Sequence, residues 1–143
     1  MKLLREGPVA VDTCVFIYFM ESDPTWLPVV RPLFAAAGAG GAALVTSSLT
    51  LLEVLVIPYR SGDLALAERY EALLSRSRGL TLVEMGRPIL KAAAQLRARY
   101  GIKTPDSLQI AAALATRCTS FLTNDRKIPD IPGLPIVQLS ELA

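Results

Sequence analysis

The sequence predicts an α/β protein with a mostly parallel central sheet. Five short apolar runs alternate along the chain with longer amphipathic segments whose apolar residues recur at helical spacing. No internal repeat, low-complexity tract or long linker interrupts this alternation. Strands that alternate with helices pair in parallel, because each helix returns the chain to the starting edge of the sheet. We therefore expect residues 1–143 to form one domain.

The apolar runs are short and uncharged, which is typical of strands buried on both faces of a sheet. In chain order, the predicted strands are Val9–Val11, Ala43–Thr46, Leu80–Val83, Ser120–Thr123 and Ile136–Leu139. Ligands of open parallel sheets bind beyond the carboxyl ends of the strands. Functional residues are therefore expected where strands end and where the following helices begin.

Helical segments fill the intervals between these strands. Pro24, Pro28 and Pro32 cannot all lie inside one regular helix, so Asp23–Gly38 is expected to form a kinked helix or two short ones. The second strand is expected to lead into a helix that carries Glu53.

Three further helices are predicted in the second half of the chain. Asp63–Ser77 has an apolar face at helical spacing and charged residues opposite it. Pro88–Tyr100 has proline in its first turn and stops at Gly101. Thr104 is expected to cap a last helix that runs to about Arg117.

Composition excludes several classes of protein. Hydrophobic residues make up 52% and charged residues 20% of the chain, so its bulk is not disordered. No apolar run reaches the roughly 18–20 residues of a membrane span, and Arg5 and Glu6 interrupt the N-terminal apolar segment, which argues against a secretion signal. A cytoplasmic protein is expected. The absence of histidine excludes Ser-His-Asp and Cys-His hydrolases and His-ligated zinc.

Four of the 13 acidic residues stand where functional residues are expected. Asp12 ends the first strand, in VAVDT, and Asp125 follows the fourth, in FLTND. Asp106 lies in the first turn of a helix, in TPDS, and Glu53 interrupts the apolar run LTLLEVLV. Each alone has an ordinary explanation: a turn for Asp12 and Asp125, a complement to the helix dipole for Asp106, and a buried ion pair or a bend to the surface for Glu53. Three of these acids, however, are placed by the ends of strands, so a parallel sheet would bring those three to one edge.

Carboxylates gathered at one edge predict a metal site. They cannot all remain ionised without a countercharge, because mutual repulsion raises some of their pKa values. A divalent cation resolves this conflict, and oxygen-only ligands suit Mg²⁺. The reaction class that follows is metal-assisted hydrolysis of a phosphodiester bond.

The same residues resemble the signature of the PIN-domain family. Its four parts occur in order as VAVDT, TSSLTLLEV, PDSLQIAAALA and FLTND, and the match spans nearly the whole chain. Any one motif is weak, but the ordered set is specific. In size the chain is most similar to the VapC-type toxin ribonucleases of toxin–antitoxin pairs. Two departures concern the substrate side: Arg126 and Lys127 follow TND where an aromatic often comes a few residues later, and prolines follow the first strand.

The resemblance implies a three-layer α/β/α sandwich with a five-stranded parallel sheet of order 3-2-1-4-5. It also implies a ribonuclease dependent on Mg²⁺ or Mn²⁺ that forms a homodimer and is neutralised by a small antitoxin. The implied catalytic residues and metal ligands are Asp12, Glu53, Asp106 and Asp125, the last acting directly or through water.

Further residues are candidates for supporting roles. Thr13 and Thr123 could orient the carboxylates or contact a phosphate, and Asn124 could do the same or form a turn. The candidates for holding an RNA backbone, with ordinary solvated charges as an equal alternative, are Lys103, Arg126 and Lys127.

Two other functions stay open. A non-catalytic PIN-like module could bind RNA or a protein, although such a module has no use for a buried glutamate. A phosphohydrolase or a response-regulator-like domain also places aspartates at strand ends. VDTCV, however, has Cys14 where the former needs a second aspartate, and the paired acids and late lysine of the latter are missing.

Overall fold

The computed structural model describes residues 1–143 and contains one sheet of five parallel strands. The strands are β1 (Val9–Val11), β2 (Leu44–Ser47), β3 (Leu80–Val83), β4 (Ser120–Thr123) and β5 (Ile136–Gln138). Their spatial order is β3-β2-β1-β4-β5, which confirms the predicted α/β class and the implied order. The strand order reverses between β1 and β4, where open α/β sheets bind their ligands.

Seven α-helices flank the sheet. They are α1 (Lys2–Arg5), α2 (Thr13–Met20), α3 (Leu27–Gly38), α4 (Leu49–Ser61), α5 (Leu64–Arg76), α6 (Arg87–Tyr100) and α7 (Thr104–Ala115). A 3₁₀ turn, Leu139–Glu141, follows β5. None of the helices combines the length and the apolar character needed to cross a membrane.

The hydrophobic core has two halves, one on each face of the sheet. Along β1, Val9 and Val11 belong to the half covered by α2 to α5, whereas Ala10 belongs to the half covered by α6 and α7. This alternation follows from the period of two in a β-strand. It produces the three-layer α/β/α sandwich that the family resemblance implied.

The register of β1 and β4 places the ends of these strands side by side. Val11 is opposite Leu122, and the backbone N–H of Asp12 donates to the carbonyl of Leu122 at 2.9 Å. Asp12 and the end of β4 are therefore adjacent at the point where the strand order reverses.

Burial differs between the central and the edge strands. Every residue of β1, β2 and β4 is buried, as predicted, but β3 and β5 consist of half-buried and exposed residues. The prediction of burial on both faces was wrong for these two strands because each pairs on one side only.

Two helix predictions need correction. Asp23–Gly38 does not form two short helices: a single helix, α3, begins at Leu27, with Pro28 in its first turn and Pro32 inside, at an exposed position. A backbone N–H in the first turn of a helix has no partner within the helix, so Pro28 loses no hydrogen bond there. Only Pro32 removes a hydrogen bond of α3. Lys103, rather than Thr104, is the N-cap residue of α7, which ends at Ala115, and its extended backbone rather than a side-chain bond begins the helix.

Candidate active site

Asp12 links the end of β1 to the start of α2, for which it is the N-cap residue. Its Oδ1 accepts a hydrogen bond from the backbone N–H of Thr13 at 2.8 Å, and its Oδ2 accepts one from the Thr123 hydroxyl at 2.7 Å. Burial raises the pKa of Asp12; the two hydrogen bonds lower it, and the charge of Asp125 raises it further. The carboxylate is thus held in one orientation by both of its oxygens.

Glu53 lies in the second turn of α4, beside the buried stripe of that helix. Thr50, Val54 and Pro58 form the stripe, at the spacing of one helical face, and Glu53 is half-buried next to it. The hydroxyl of Thr13 donates to Oε1 of Glu53 at 2.7 Å. A charge in an apolar sequence run is therefore tolerated because it sits at the border of the buried face and receives a hydrogen bond.

Asp106 lies in the first turn of α7 and is half-buried. The pKa of Asp106 is raised to about 6, and the largest cause is burial, which disfavours the charged form. The charges of Asp12, Asp125 and Glu53 raise this pKa further, in that order, and Lys103 opposes them. The fold therefore brings all four predicted acids into electrostatic contact.

Asp125 is held by the turn that follows β4. Its Oδ1 accepts from the backbone N–H of Lys127 at 2.9 Å, and its own N–H donates to the Thr123 hydroxyl at 3.0 Å. Its carbonyl accepts from Nε2 of Gln138 at 3.2 Å. Asp125 thus forms the turn that is its ordinary explanation. Its charge nevertheless also acts on Asp12 and Asp106.

No basic side chain forms an ion pair with any of the four acids. The one salt bridge in the protein joins Lys2 and Glu6 at 3.8 Å, in α1 and directly after it. The charges of the other three carboxylates therefore act on Asp106 without a paired countercharge, which is the situation that a bound cation relieves.

The donor set at this edge consists of carboxylate and hydroxyl oxygens, which fits Mg²⁺ or Mn²⁺. As the side chains are arranged, however, no three of the acidic or cysteine residues are close enough together to hold a metal ion. Like charges repel, and the carboxylates of Asp12 and Glu53 are drawn toward threonine hydroxyls. The ligand roles of the four acids therefore stay predictions, supported by the donor chemistry and by the charges of the other three acids that act on Asp106.

The other predicted residues separate into two groups. Thr13 and Thr123 each donate to one of the carboxylates, Glu53 and Asp12 respectively. Asn124 instead donates to the hydroxyl of Tyr18 at 3.1 Å.

Two of the three candidate RNA-binding residues border the acids. A surface cavity of about 210 Å³ is lined by Lys103 and Lys127 together with Asp106 and Asp125. The guanidinium of Arg126 donates to the Ser140 hydroxyl at 3.2 Å and is not part of this lining.

Gln109 is a buried polar residue next to the site that the sequence reasoning missed. It lies one turn after Asp106 on α7, is 3% exposed, and hydrogen-bonds to Thr13, Ser47 and Thr50. The available signal was a single amide in the apolar helix SLQIAAALA, three residues after an acid predicted to be functional.

The fold and the site define an open α/β protein with an acidic crevice at the switch point of a parallel sheet. Residues 9–134 match the sequence model of the PIN domain family, so the chain belongs to that family and the resemblance is confirmed. Comparison with curated protein sequences found no match.

Two solved structures are similar to this chain. A chain of a toxin–antitoxin complex from Klebsiella pneumoniae has a TM-score of 0.66 at 22% identity, covering 88% of this chain and 94% of that one. A chain of VapBC2 from Rickettsia felis, bound to a DNA fragment from their promoter, has a TM-score of 0.64 at 19% identity, covering 92% and 98%. At these identities the likeness establishes the fold.

Proposed function

We propose that this protein is a metal-dependent endoribonuclease and the toxin of a VapBC-type toxin–antitoxin pair. The observation that carries the proposal is the convergence of acids where the strand order reverses: the Thr123 hydroxyl bonds to both Asp12 and Asp125, and Asp125 lines one cavity with Asp106. Four acids without an ion-pair partner, at the ligand-binding edge of a PIN-domain sheet, suit a nuclease better than a binding module.

The residues that would hold Mg²⁺ or Mn²⁺ are Asp12, Glu53, Asp106 and Asp125. When bound, the cation supplies an activated water and stabilises charge that develops on the scissile phosphate. Thr13 and Thr123 keep the carboxylates of Glu53 and Asp12 oriented for this purpose.

The RNA backbone would pass over the cavity beside these acids. Lys103 and Lys127 line it together with Asp106 and Asp125, so a phosphate there would meet positive charge next to the acids. Arg126, which reaches Ser140, would contribute less.

The proposed partner is a small antitoxin protein, and the proposed assembly is a homodimer. Family membership and the likeness to chains of two toxin–antitoxin complexes support this part of the proposal. A toxin that cleaves RNA would act in the cytoplasm, where its substrate is.

The test is cleavage of a single-stranded RNA by the purified protein with Mn²⁺ or Mg²⁺, and with EDTA. We expect cleavage that EDTA abolishes and that Asp12→Asn and Asp106→Asn each lower by on the order of 100-fold or more, about 2.7 kcal/mol in the barrier. Asp130→Asn, at an exposed loop position, is the matched control and should leave the rate unchanged. Full activity in either site variant, or activity with EDTA, would contradict the mechanism. RNA binding without cleavage or metal affinity would identify a non-catalytic module.

A further inference from the structure

Gln109 joins three elements around the start of α7. Its Oε1 accepts from the hydroxyl of Ser47 at 2.9 Å and from the Ser47 backbone N–H at 3.3 Å. Its Nε2 donates to Oγ1 of Thr50 at 2.8 Å and to Oγ1 of Thr13 at 3.2 Å. Gln109 is 3% exposed, and its three partners are buried as well. The amide therefore uses both its acceptor and its two donor hydrogens inside the protein.

The orientation of this amide follows from its partners. A backbone N–H can only donate, so the Gln109 atom that faces the N–H of Ser47 must be the oxygen. The NH₂ group must then face the hydroxyl oxygens of Thr13 and Thr50.

The hydroxyl protons can be assigned in the same way. The Thr46 hydroxyl donates to the carbonyl of Val11 at 3.0 Å, because a carbonyl can only accept. The 2.7 Å contact between Thr46 and Thr50 then uses the proton of Thr50. Thr13 donates to Glu53 at 2.7 Å, so its oxygen is free to accept from Gln109.

We propose that Gln109 is a positioning residue for Glu53, acting through Thr13. Donation from Gln109 holds the Thr13 oxygen on its inner side, so the hydroxyl proton points outward at the carboxylate. Hydrogen bonds in such a chain polarise one another, which strengthens the bond to Glu53. This inference rests on the proposed function, in which Glu53 is a ligand of a divalent cation, and it assigns to Gln109 the support of that ligand.

A purely structural role predicts a different outcome. If Gln109 only satisfied buried polar groups of the core, replacing it would lower stability and leave the Mn²⁺ affinity of the folded protein unchanged. If Gln109 is a positioning residue, replacing it must also lower the affinity for Mn²⁺. This loss must disappear when Thr13 has already been replaced by a residue without a hydroxyl.

The experiment is titration of the 1–143 chain with Mn²⁺ alone by isothermal calorimetry, with thermal unfolding of each variant measured in parallel. Gln109→Met, which has a similar volume and no amide, should weaken Mn²⁺ binding by on the order of 10-fold. Thr46→Val is the matched control: it removes a buried hydroxyl of the same network that contacts neither Gln109 nor Glu53. It should lower the melting temperature and change the Kd by less than about 2-fold.

A double-mutant cycle tests the route through Thr13. Thr13→Val should weaken Mn²⁺ binding, and adding Gln109→Met to it should cause no further loss. Gln109→Leu provides a second variant if the methionine variant does not fold.

An unchanged Kd in folded Gln109→Met, additive losses in the cycle, or failure of both Gln109 variants to fold would overturn the positioning role. A wild-type protein that binds no Mn²⁺ would instead overturn the proposed function, and this inference with it.

Discussion

The hydroxyl of Thr123, at the end of β4, donates a 2.7 Å hydrogen bond to Oδ2 of Asp12, at the end of β1. The same hydroxyl oxygen accepts from the backbone N–H of Asp125 at 3.0 Å. One fully buried threonine thus connects two of the four acids at the point where the strand order reverses.

Thr123→Val should weaken metal binding and cost a modest amount of stability. The change removes the donor to Asp12 at nearly constant volume, which should lower the free energy of unfolding by about 1–2 kcal/mol and the Mn²⁺ affinity by on the order of 10-fold. Calorimetric titration and urea unfolding measure both. Thr119→Val is the control. Thr119 directly precedes β4, and its hydroxyl donates to the carbonyl of Pro8 and not to any of the four acids. Equal Mn²⁺ affinity in the two variants would exclude an orienting role for Thr123.

Glu53→Gln should abolish metal-dependent cleavage while preserving or raising the melting temperature of the metal-free protein. The substitution removes a charge that raises the pKa of Asp106, and the new amide oxygen can still accept from Thr13. The measurements are RNA cleavage with Mn²⁺ and thermal unfolding in EDTA. Glu68→Gln, an exposed position on α5, should change neither quantity. A fall of several degrees in Glu53→Gln would assign Glu53 to a structural interaction.

The metal-free protein should lose stability as the pH rises from about 4 to about 6. The pKa of Asp106 is about 6 in the folded state against an ordinary value of 3.8, so within this window the folded state binds more protons than the unfolded state. The free energy of unfolding therefore decreases with rising pH. Solvent screening at a half-exposed site limits the expected change to about 1–2 kcal/mol.

Urea unfolding in EDTA at several pH values measures this slope. Asp106→Asn should have a flatter profile than the wild type over the same window, because it lacks the titrating group. Parallel profiles for the two proteins would show that Asp106 does not carry the effect.

Lys103→Ala and Lys127→Ala should weaken RNA binding and reduce its dependence on salt. Each lysine lines the cavity next to the acids, and loss of one phosphate contact should lower the slope of log K against log salt by about 1. Fluorescence anisotropy with a labelled RNA across a salt series measures the slope. Lys91→Ala, exposed on α6, is the charge-matched control. Slopes equal to the wild type in both cavity variants would place the RNA elsewhere.

Patterns along the sequence predicted the α/β class and singled out four acids as candidate site residues, whereas the strand order followed from the family resemblance. Burial on both faces makes β1 uniformly apolar and leaves β4 without a charge, and proline and glycine delimit α6. The alternation of strands and helices then implies a parallel sheet, and a parallel sheet brings strand ends such as those at Asp12 and Asp125 to one edge. Composition could not reveal that β3 and β5 are partly exposed; the implied strand order places both at the edges of the sheet, but the prediction of burial on both faces did not take this into account.

What the sequence alone determined is therefore the α/β class, the PIN-domain family and the acids at one end of the sheet. The tertiary structure decided which hydroxyl meets which carboxylate: Thr123 meets Asp12 across 111 residues, Thr13 meets Glu53 across 40, and Gln109 meets Thr13 across 96. Local periodicity specifies which face of an element is buried, but contacts of a few ångströms depend on strand register and helix rotation. Those are set by the packing of the whole core, which no local pattern encodes.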